Sequence, residues 1–174
     1  MKLKSLLTVL FIYTSGLLFA SNEIYLDQIG SSGIFNISQI GSSNKLGEGT
    51  NRARIEGEEV IFNVGTIGNE NLIDIDSIGN EELVNLNLEG DGNELILALH
   101  GDKNEVNTFI SGDSNNVLIA GNEDDTQKAT VHNGLLNLNI EGSSNEVDLL
   151  LFDTSYTFTD YHIAGSLNEV SSYQ

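Results

Sequence analysis

The 174-residue chain has no cysteine, no proline and no tryptophan. Without cysteine, no disulfide can staple the fold. Without proline, nothing in the chain forbids long unbroken strand ladders. Positive charge is also scarce: seven Lys and Arg stand against 26 Asp and Glu, a net charge of −19. That imbalance argues against nucleic acid, whose phosphates need a basic face. It argues equally against anionic membrane surfaces. Beyond the first twenty residues, no apolar run is long enough to span a bilayer.

Those first twenty residues differ from the rest. Lys2 and Lys4 precede an apolar run from Leu6 to Phe19, and the small residue Ala20 follows. This is the layout of a secretory signal peptide. The run is short for ~30 Å of hydrocarbon and is interrupted at Thr14, Ser15 and Gly16, which disfavours a transmembrane anchor. The expected organisation is a signal peptide over 1–20 and one secreted domain over 21–174. Cleavage removes two cations and no anions, leaving five against 26, a net charge of −21.

The secreted part repeats itself. Gln28-Ile29-Gly30-Ser31-Ser32 returns eleven residues later as Gln39-Ile40-Gly41-Ser42-Ser43. Glycines follow at Gly57, Gly68, Gly79, Gly90, Gly101 and Gly112, again eleven apart. Between Gly41 and Gly57 the spacing is sixteen, so about five residues are inserted near Gly47-Glu48-Gly49. After Gly112 the rhythm loosens: Gly121 comes early, Gly142 is 21 further on, Asp153 takes a glycine slot, and Gly165 closes the series. An asparagine lies three residues after the glycine at Asn44, Asn71, Asn93, Asn104, Asn115, Asn145 and Asn168.

The segments before these landmarks alternate in polarity. At the second, fourth and sixth positions before the landmark, 28 of 36 residues are apolar; at the first, third and fifth, 13 of 36 are. A two-residue period predicts strands with one apolar face. Strands are expected over 24–30, 34–41, 60–68, 84–90, 94–101, 105–112 and 135–142, with Leu86, Leu88, Leu97, Leu99 and Leu138 inward. Glycine suits the turns because it tolerates positive φ. Asparagine suits them because it visits the left-handed region and bonds local backbone.

One such strand cannot bury its apolar face alone, but two facing strands can. The fold class expected is therefore all-β: a β-solenoid of strand-turn-strand coils, about 22 residues per coil, with two facing parallel sheets ~4.8 Å between rungs. Counting strands alternately onto the two walls gives fourteen strands in seven coils. That count treats Lys128–His132 as a separate short strand and 122–128 as a loop leaving the stack.

The Gln-Ile-Gly-Ser-Ser units resemble the curlin repeat. That pattern places Gln two before Gly and Asn three after it, as in Gln28/Gly30 and in Gln39/Gly41/Asn44. Gln174 falls in the Gln slot of a truncated last unit. The middle units depart from the pattern, with Ile55, Thr66, Ser77, Leu88, Leu99 and Ile110 in that slot. The resemblance implies secretion as an unfolded chain and polymerisation outside the cell into amyloid-type fibres of a biofilm matrix, as main subunit or nucleator. It also implies a related fibre subunit and a secretion apparatus as partners. In head-to-tail growth the alternating count stacks Gln174 of one copy on Gln39 of the next, and leaves Gln28 facing Ile163.

No cofactor or metal is expected, and no catalytic residue. His100, His132 and His162 are scattered, with no positioned nucleophile beside them. Outward acids such as Asp27, Asp74, Asp76, Glu89, Asp148 and Asp160 are spread out, whereas a polysaccharide hydrolase needs a pair gathered at one point. Asp91, Asp102 and Asp113 follow successive glycines and are oxygen donors of the kind calcium uses, but they lack a calcium-roll motif and read as a solvated acidic edge. Asn36-Ile37-Ser38 matches a glycosylation sequon but lies inside an expected strand. The competing reading is a non-polymerising acidic solenoid that binds glycans or calcium.

Overall fold

The computed structural model describes residues 9–15, 22–120, 129–152 and 158–173. They form strands joined by tight turns, with a single 3-10 turn at Gly49–Asn51 and no α-helix among the described residues. One sheet contains Gln39. Its strands are β1 (Val9–Ser15), β4 (Ile34–Ile40), β7 (Ile61–Ile67), β9 (Leu83–Glu89), β11 (Glu105–Ser111), β14 (Leu135–Glu141) and β16 (Phe158–Ala164), stacked in that order. The other contains Gln28. Its strands are β2 (Glu23–Ile24), β3 (Asp27–Ile29), β5 (Lys45–Leu46), β6 (Ala53–Glu58), β8 (Leu72–Asn80), β10 (Glu94–Asp102), β12 (Asn116–Ala120), β13 (Ala129–His132), β15 (Glu146–Phe152) and β17 (Glu169–Tyr173). Every pairing is parallel, and neither sheet closes into a barrel. The molecule is a β-solenoid, as its 22-residue coil predicts.

Inward positions of the two sheets make one core. Leu86, Leu88, Leu97, Leu99 and Leu138 are all buried, as the alternation requires. Equivalent residues stack in columns. Phe35 and Phe62 pack with ring centroids 6.3 Å apart, and Val84, Val106 and Leu136 continue the same column. Each buried aliphatic side chain contributes about 1.5–3 kcal/mol, so the core rather than any one turn carries the fold.

The count of rungs differs from the expected fourteen. Ala120 of β12 pairs with Ala98, and Thr130 of β13 pairs with His100 on the same strand, β10. So β12 and β13 are two halves of one rung, interrupted by residues 121–128, and Lys128–His132 is not a strand of its own wall. The 30 residues from Gly112 to Gly142 are one 22-residue coil with eight more inserted mid-strand. Gly121, expected to end a strand, lies outside the described residues. From residue 22 onward the described residues make thirteen rungs, seven in the Gln28 sheet and six in the Gln39 sheet.

One rung fewer swaps the walls beyond residue 121. The Gln28 column runs through Ile55, Ser77, Leu99, Ala129 and Leu151. Ser172 pairs with Leu149 and Tyr173 with Leu150, so β17 lies in that same sheet; Gln174 itself lies outside the described residues. The Gln39 column runs through Thr66, Leu88, Ile110, Ile140 and Ile163. The wall assignment behind the expected pairing of Gln174 with Gln39 therefore does not hold: β17 belongs to the Gln28 sheet. In head-to-tail register Gln39 faces Ile163.

The five-residue insertion is accommodated in the same way. Leu46 pairs with Ile73 and Ala53 with Ile75, so residues 47–52 loop out of one rung. The loop folds over Asp74, which is buried at an outward position. Arg52 Nε donates to Asp74 Oδ1 at 2.5 Å, and Gly49 N–H donates to Asp74 Oδ2 at 2.9 Å. A buried carboxylate is tolerable only with such partners. The region expected to be the centre of the signal peptide lies as β1 beside β4, with Val9 opposite Ile34 and Ser15 opposite Ile40.

Candidate functional site

The turns carry the motif residues, and the two turn edges differ. After each Gln39-sheet strand from β4 on, the chain runs Gly, two residues, Asn. Gly112 shows why glycine is needed: its φ is +138°, and a Cβ there would lie 2.1 Å from the Gly90 carbonyl oxygen one coil away. No L side chain fits. The left-handed residue of each turn is not the asparagine, as expected, but the residue before it: Ser43, Glu70, Ser114, Ser144 and Leu167 have φ between 54° and 61°.

The asparagines instead point inward and stack. Asn22 Nδ2 donates to Asn44 Oδ1 at 2.9 Å, Asn44 to Asn71 at 2.9 Å, Asn71 to Asn93 at 2.8 Å, Asn93 to Asn115 at 3.0 Å, Asn115 to Asn145 at 3.0 Å, and Asn145 to Asn168 at 3.2 Å. The same Oδ1 atoms accept the backbone N–H of the preceding coil's asparagine, as in Asn93 N to Asn115 Oδ1 at 3.0 Å. The Nδ2 atoms of Asn44, Asn71, Asn93 and Asn115 also reach the carbonyl of their own turn glycine, as in Asn44 to Gly41 at 3.1 Å. Buried polar groups are thus paired along the whole edge, which is the condition for keeping them there. The ladder has a direction: its free donor end is Asn168 Nδ2 and its free acceptor end is Asn22 Oδ1.

The opposite edge has Gly33, Val60, Glu82, Asn104 and Gly134 in the equivalent slot. Asn104 Oδ1 accepts Glu82 N–H at 3.1 Å, and Asn104 Nδ2 donates to the Gly79 carbonyl at 3.0 Å. Glu82 is buried; Ser77 Oγ donates to its Oε2 at 2.5 Å, and its Oε1 has no partner. Burial pushes the Glu82 carboxyl up to about 7, against the lowering effect of the Ser77 hydroxyl.

The two glutamines of the repeated motif also part company. Gln39 is buried, and its Nε2 donates to the carbonyls of Asn22 at 3.0 Å and Lys45 at 3.1 Å. Its Oε1 and the neighbouring Thr66 Oγ1 are buried without partners. Gln28 is half-buried beside Ile55.

The acidic turns use their oxygens on the backbone. Asp91 Oδ1 accepts Asp113 N–H at 2.8 Å, and Asp113 Oδ1 accepts Ser143 N–H at 2.6 Å and Ser143 Oγ–H at 2.9 Å. The Ser143 backbone and hydroxyl bonds hold the Asp113 carboxyl below its ordinary range. Among the described residues, no three His, Cys, Asp or Glu gather into a metal-holding group. His162 lies on the outer face of the Gln39 sheet and His100 in the Gln28 sheet, so these two histidines are not brought together.

A second asparagine ladder was not singled out by sequence reasoning, although its signal was there: Asn at the fifth position before the glycine. On the outer face of the Gln39 sheet, Asn63 Nδ2 donates to Asn36 Oδ1 at 2.9 Å, Asn85 to Asn63 at 2.7 Å, Asn107 to Asn85 at 3.0 Å, and Asn137 to Asn107 at 2.7 Å. It runs in the opposite sense to the edge ladder. Asn36 is within a strand, as expected for that sequon.

The two ends of the stack complete the inventory. The C-terminal end leaves inward positions uncovered: Tyr161 and Val170 are 51% and 40% exposed, while Leu138 and Val147, their partners one coil earlier, are 2% and 0% exposed. No helix of the described residues is long and apolar enough to cross a membrane. Compared with protein-family models, curated proteins and solved structures, the chain shows no match.

Proposed function

We propose that this chain is a secreted structural protein that stacks end to end into extracellular fibres. The observation that carries the proposal is the C-terminal end, where Tyr161 and Val170 stand in core columns yet remain about half exposed. Strands β16 and β17 present unpaired backbone edges beside them, which template further pairing. Removal of residues 1–20 takes β1 away and opens β4 at the other end. The edge ladder then offers a donor at Asn168 and an acceptor at Asn22, so a head-to-tail junction continues it without inversion. The curlin-repeat likeness of the Gln28 and Gln39 units points the same way, towards a fibre subunit or nucleator of a biofilm matrix. A related fibre subunit and a secretion apparatus are the partners that likeness suggests.

The test is electron microscopy with an amyloid dye on the chain beginning at residue 21, followed by seeded elongation. Fibres are expected for that chain. Tyr161→Asp changes an exposed side chain of the monomer but would bury an unpaired carboxylate in the junction, and should slow elongation by about a hundredfold. Absence of fibres, or wild-type elongation by Tyr161→Asp, would overturn the reading.

A further inference from the structure

The outer face of the Gln39 sheet carries an open groove of about 720 Å³ that the stacking of coils does not use. It runs across the rungs from β4 to β16, between the Asn36–Asn137 ladder and the row that includes Ser38, Gly65, Phe109 and Asn139. Six rungs at ~4.8 Å make it about 24 Å long. We infer that this groove is a binding site for a linear, uncharged glycan chain.

The chemistry of the lining selects that class. The groove contains no Lys or Arg, and its ionisable side chains are Asp160 and His162, both at the C-terminal end. On a chain of net charge −19, such a groove repels nucleic acids and acidic polysaccharides. A carboxamide, like a sugar hydroxyl, is both donor and acceptor. Each interior ladder asparagine spends one N–H and one lone pair on its neighbours, so one of each remains for a ligand, rung after rung. Asn107 is the exception, since its Nδ2 also donates to Glu105 Oε1 at 2.9 Å. Asn139 also lines the groove. Phe109 adds an apolar ring face against which sugar C–H groups can lie. The repeat along the groove suits a polymer rather than a compact ligand, because five successive rungs place an asparagine in the same column.

Gly65 supplies a clean variant. A Cβ there would meet nothing within 4 Å, and its backbone is not in the left-handed region. Gly65→Trp should fill the groove without disturbing the fold, and Phe109→Ala should remove its ring face. The experiment is calorimetric titration of the chain beginning at residue 21, kept soluble by Tyr161→Asp if it assembles. The probes are cellohexaose, xylohexaose, maltohexaose, chitohexaose and hexagalacturonate. At least one neutral hexaose is expected to bind, more tightly than its own disaccharide, with hexagalacturonate at least about tenfold weaker. Gly65→Trp and Phe109→Ala should each weaken that binding about tenfold or more while circular dichroism stays unchanged. Binding of none of the neutral hexaoses, preference for the acidic one, or affinity untouched by Gly65→Trp would overturn the site. Fibre formation plays no part in the readout, so the two proposals can fail separately.

Discussion

The two sheets of this solenoid share a core but not a discipline. From residue 22 on, every rung of the Gln39 sheet is a single seven-residue strand. In the Gln28 sheet, three rungs are split, into β2 and β3, β5 and β6, and β12 and β13. The insertions at 47–52 and 121–128 both fall there. The difference shows where register is enforced. Each interior Gln39-sheet strand from β4 to β14 leads directly into a turn whose asparagine is hydrogen-bonded to the coils on either side, so a slip would break several buried bonds at once. A loop leaving the middle of a Gln28-sheet rung costs only its closure entropy, which grows slowly with length. Both flanks then resume on the strand of the neighbouring coil.

Substitutions within the two edges test that contrast most sharply. Asn93→Ala would strand the buried backbone N–H of Asn71, remove one of the two acceptors of Asn71 Nδ2, and leave the half-buried Gly90 carbonyl without its donor. Thermal or urea unfolding should show a loss of about 3 kcal/mol. Asn104→Ala, on the mixed edge, strands Glu82 N–H and the Gly79 carbonyl and should cost roughly half as much. Equal losses would show that the unbroken ladder adds nothing beyond its individual bonds.

Glu82 makes the mixed edge sensitive to pH. Its folded-state carboxyl lies near 7, above the ordinary 4.5. Below that ordinary value, folded and unfolded chains both hold the proton. Between about 4.5 and 7 the unfolded chain releases it and the folded chain keeps it, so stability falls as pH rises through this window, by up to about 3 kcal/mol. Urea midpoints measured from pH 4.5 to 8 should decline for the wild type and decline much less for Glu82→Gln. Parallel profiles would assign the whole trend to repulsion among the other acids.

The smallest effect is expected from deleting residues 121–128. The cut joins Ala120 to Ala129, whose rung partners are adjacent on β10. Unfolding stability should change by less than about 1 kcal/mol. Inserting the same eight residues between Leu86 and Asn87 in β9 should instead prevent cooperative folding.

Which features could be read in advance follows from how local they are. The inward leucines of β9, β10 and β14 follow from alternation alone, because a strand's two faces are set by its own backbone. The rung count failed at residue 121, because a glycine ending one strand and a glycine beginning an insertion look alike. Asn44 and its successors were legible as a motif, but their task was misassigned. Three residues after a glycine looks like a turn position until the stacked coil shows that the residue before it takes the left-handed conformation. The outer ladder of Asn36, Asn63, Asn85, Asn107 and Asn137 passed unread for a related reason: asparagine on a solvent-facing strand position means little singly.

Composition and the eleven-residue rhythm by themselves determined the β-solenoid, its coil length, its inward face and its acidic, disulfide-free character, since each depends on residues close together in the chain. The tertiary structure alone decided which strands share a sheet beyond residue 121, that β17 belongs to the sheet of Gln28, that one edge is a continuous amide ladder and the other is not, and that Glu82 is buried. Each of these depends on what lies ~4.8 Å away in the next coil, some 22 or more residues along the chain. A single inserted loop is enough to change that neighbour.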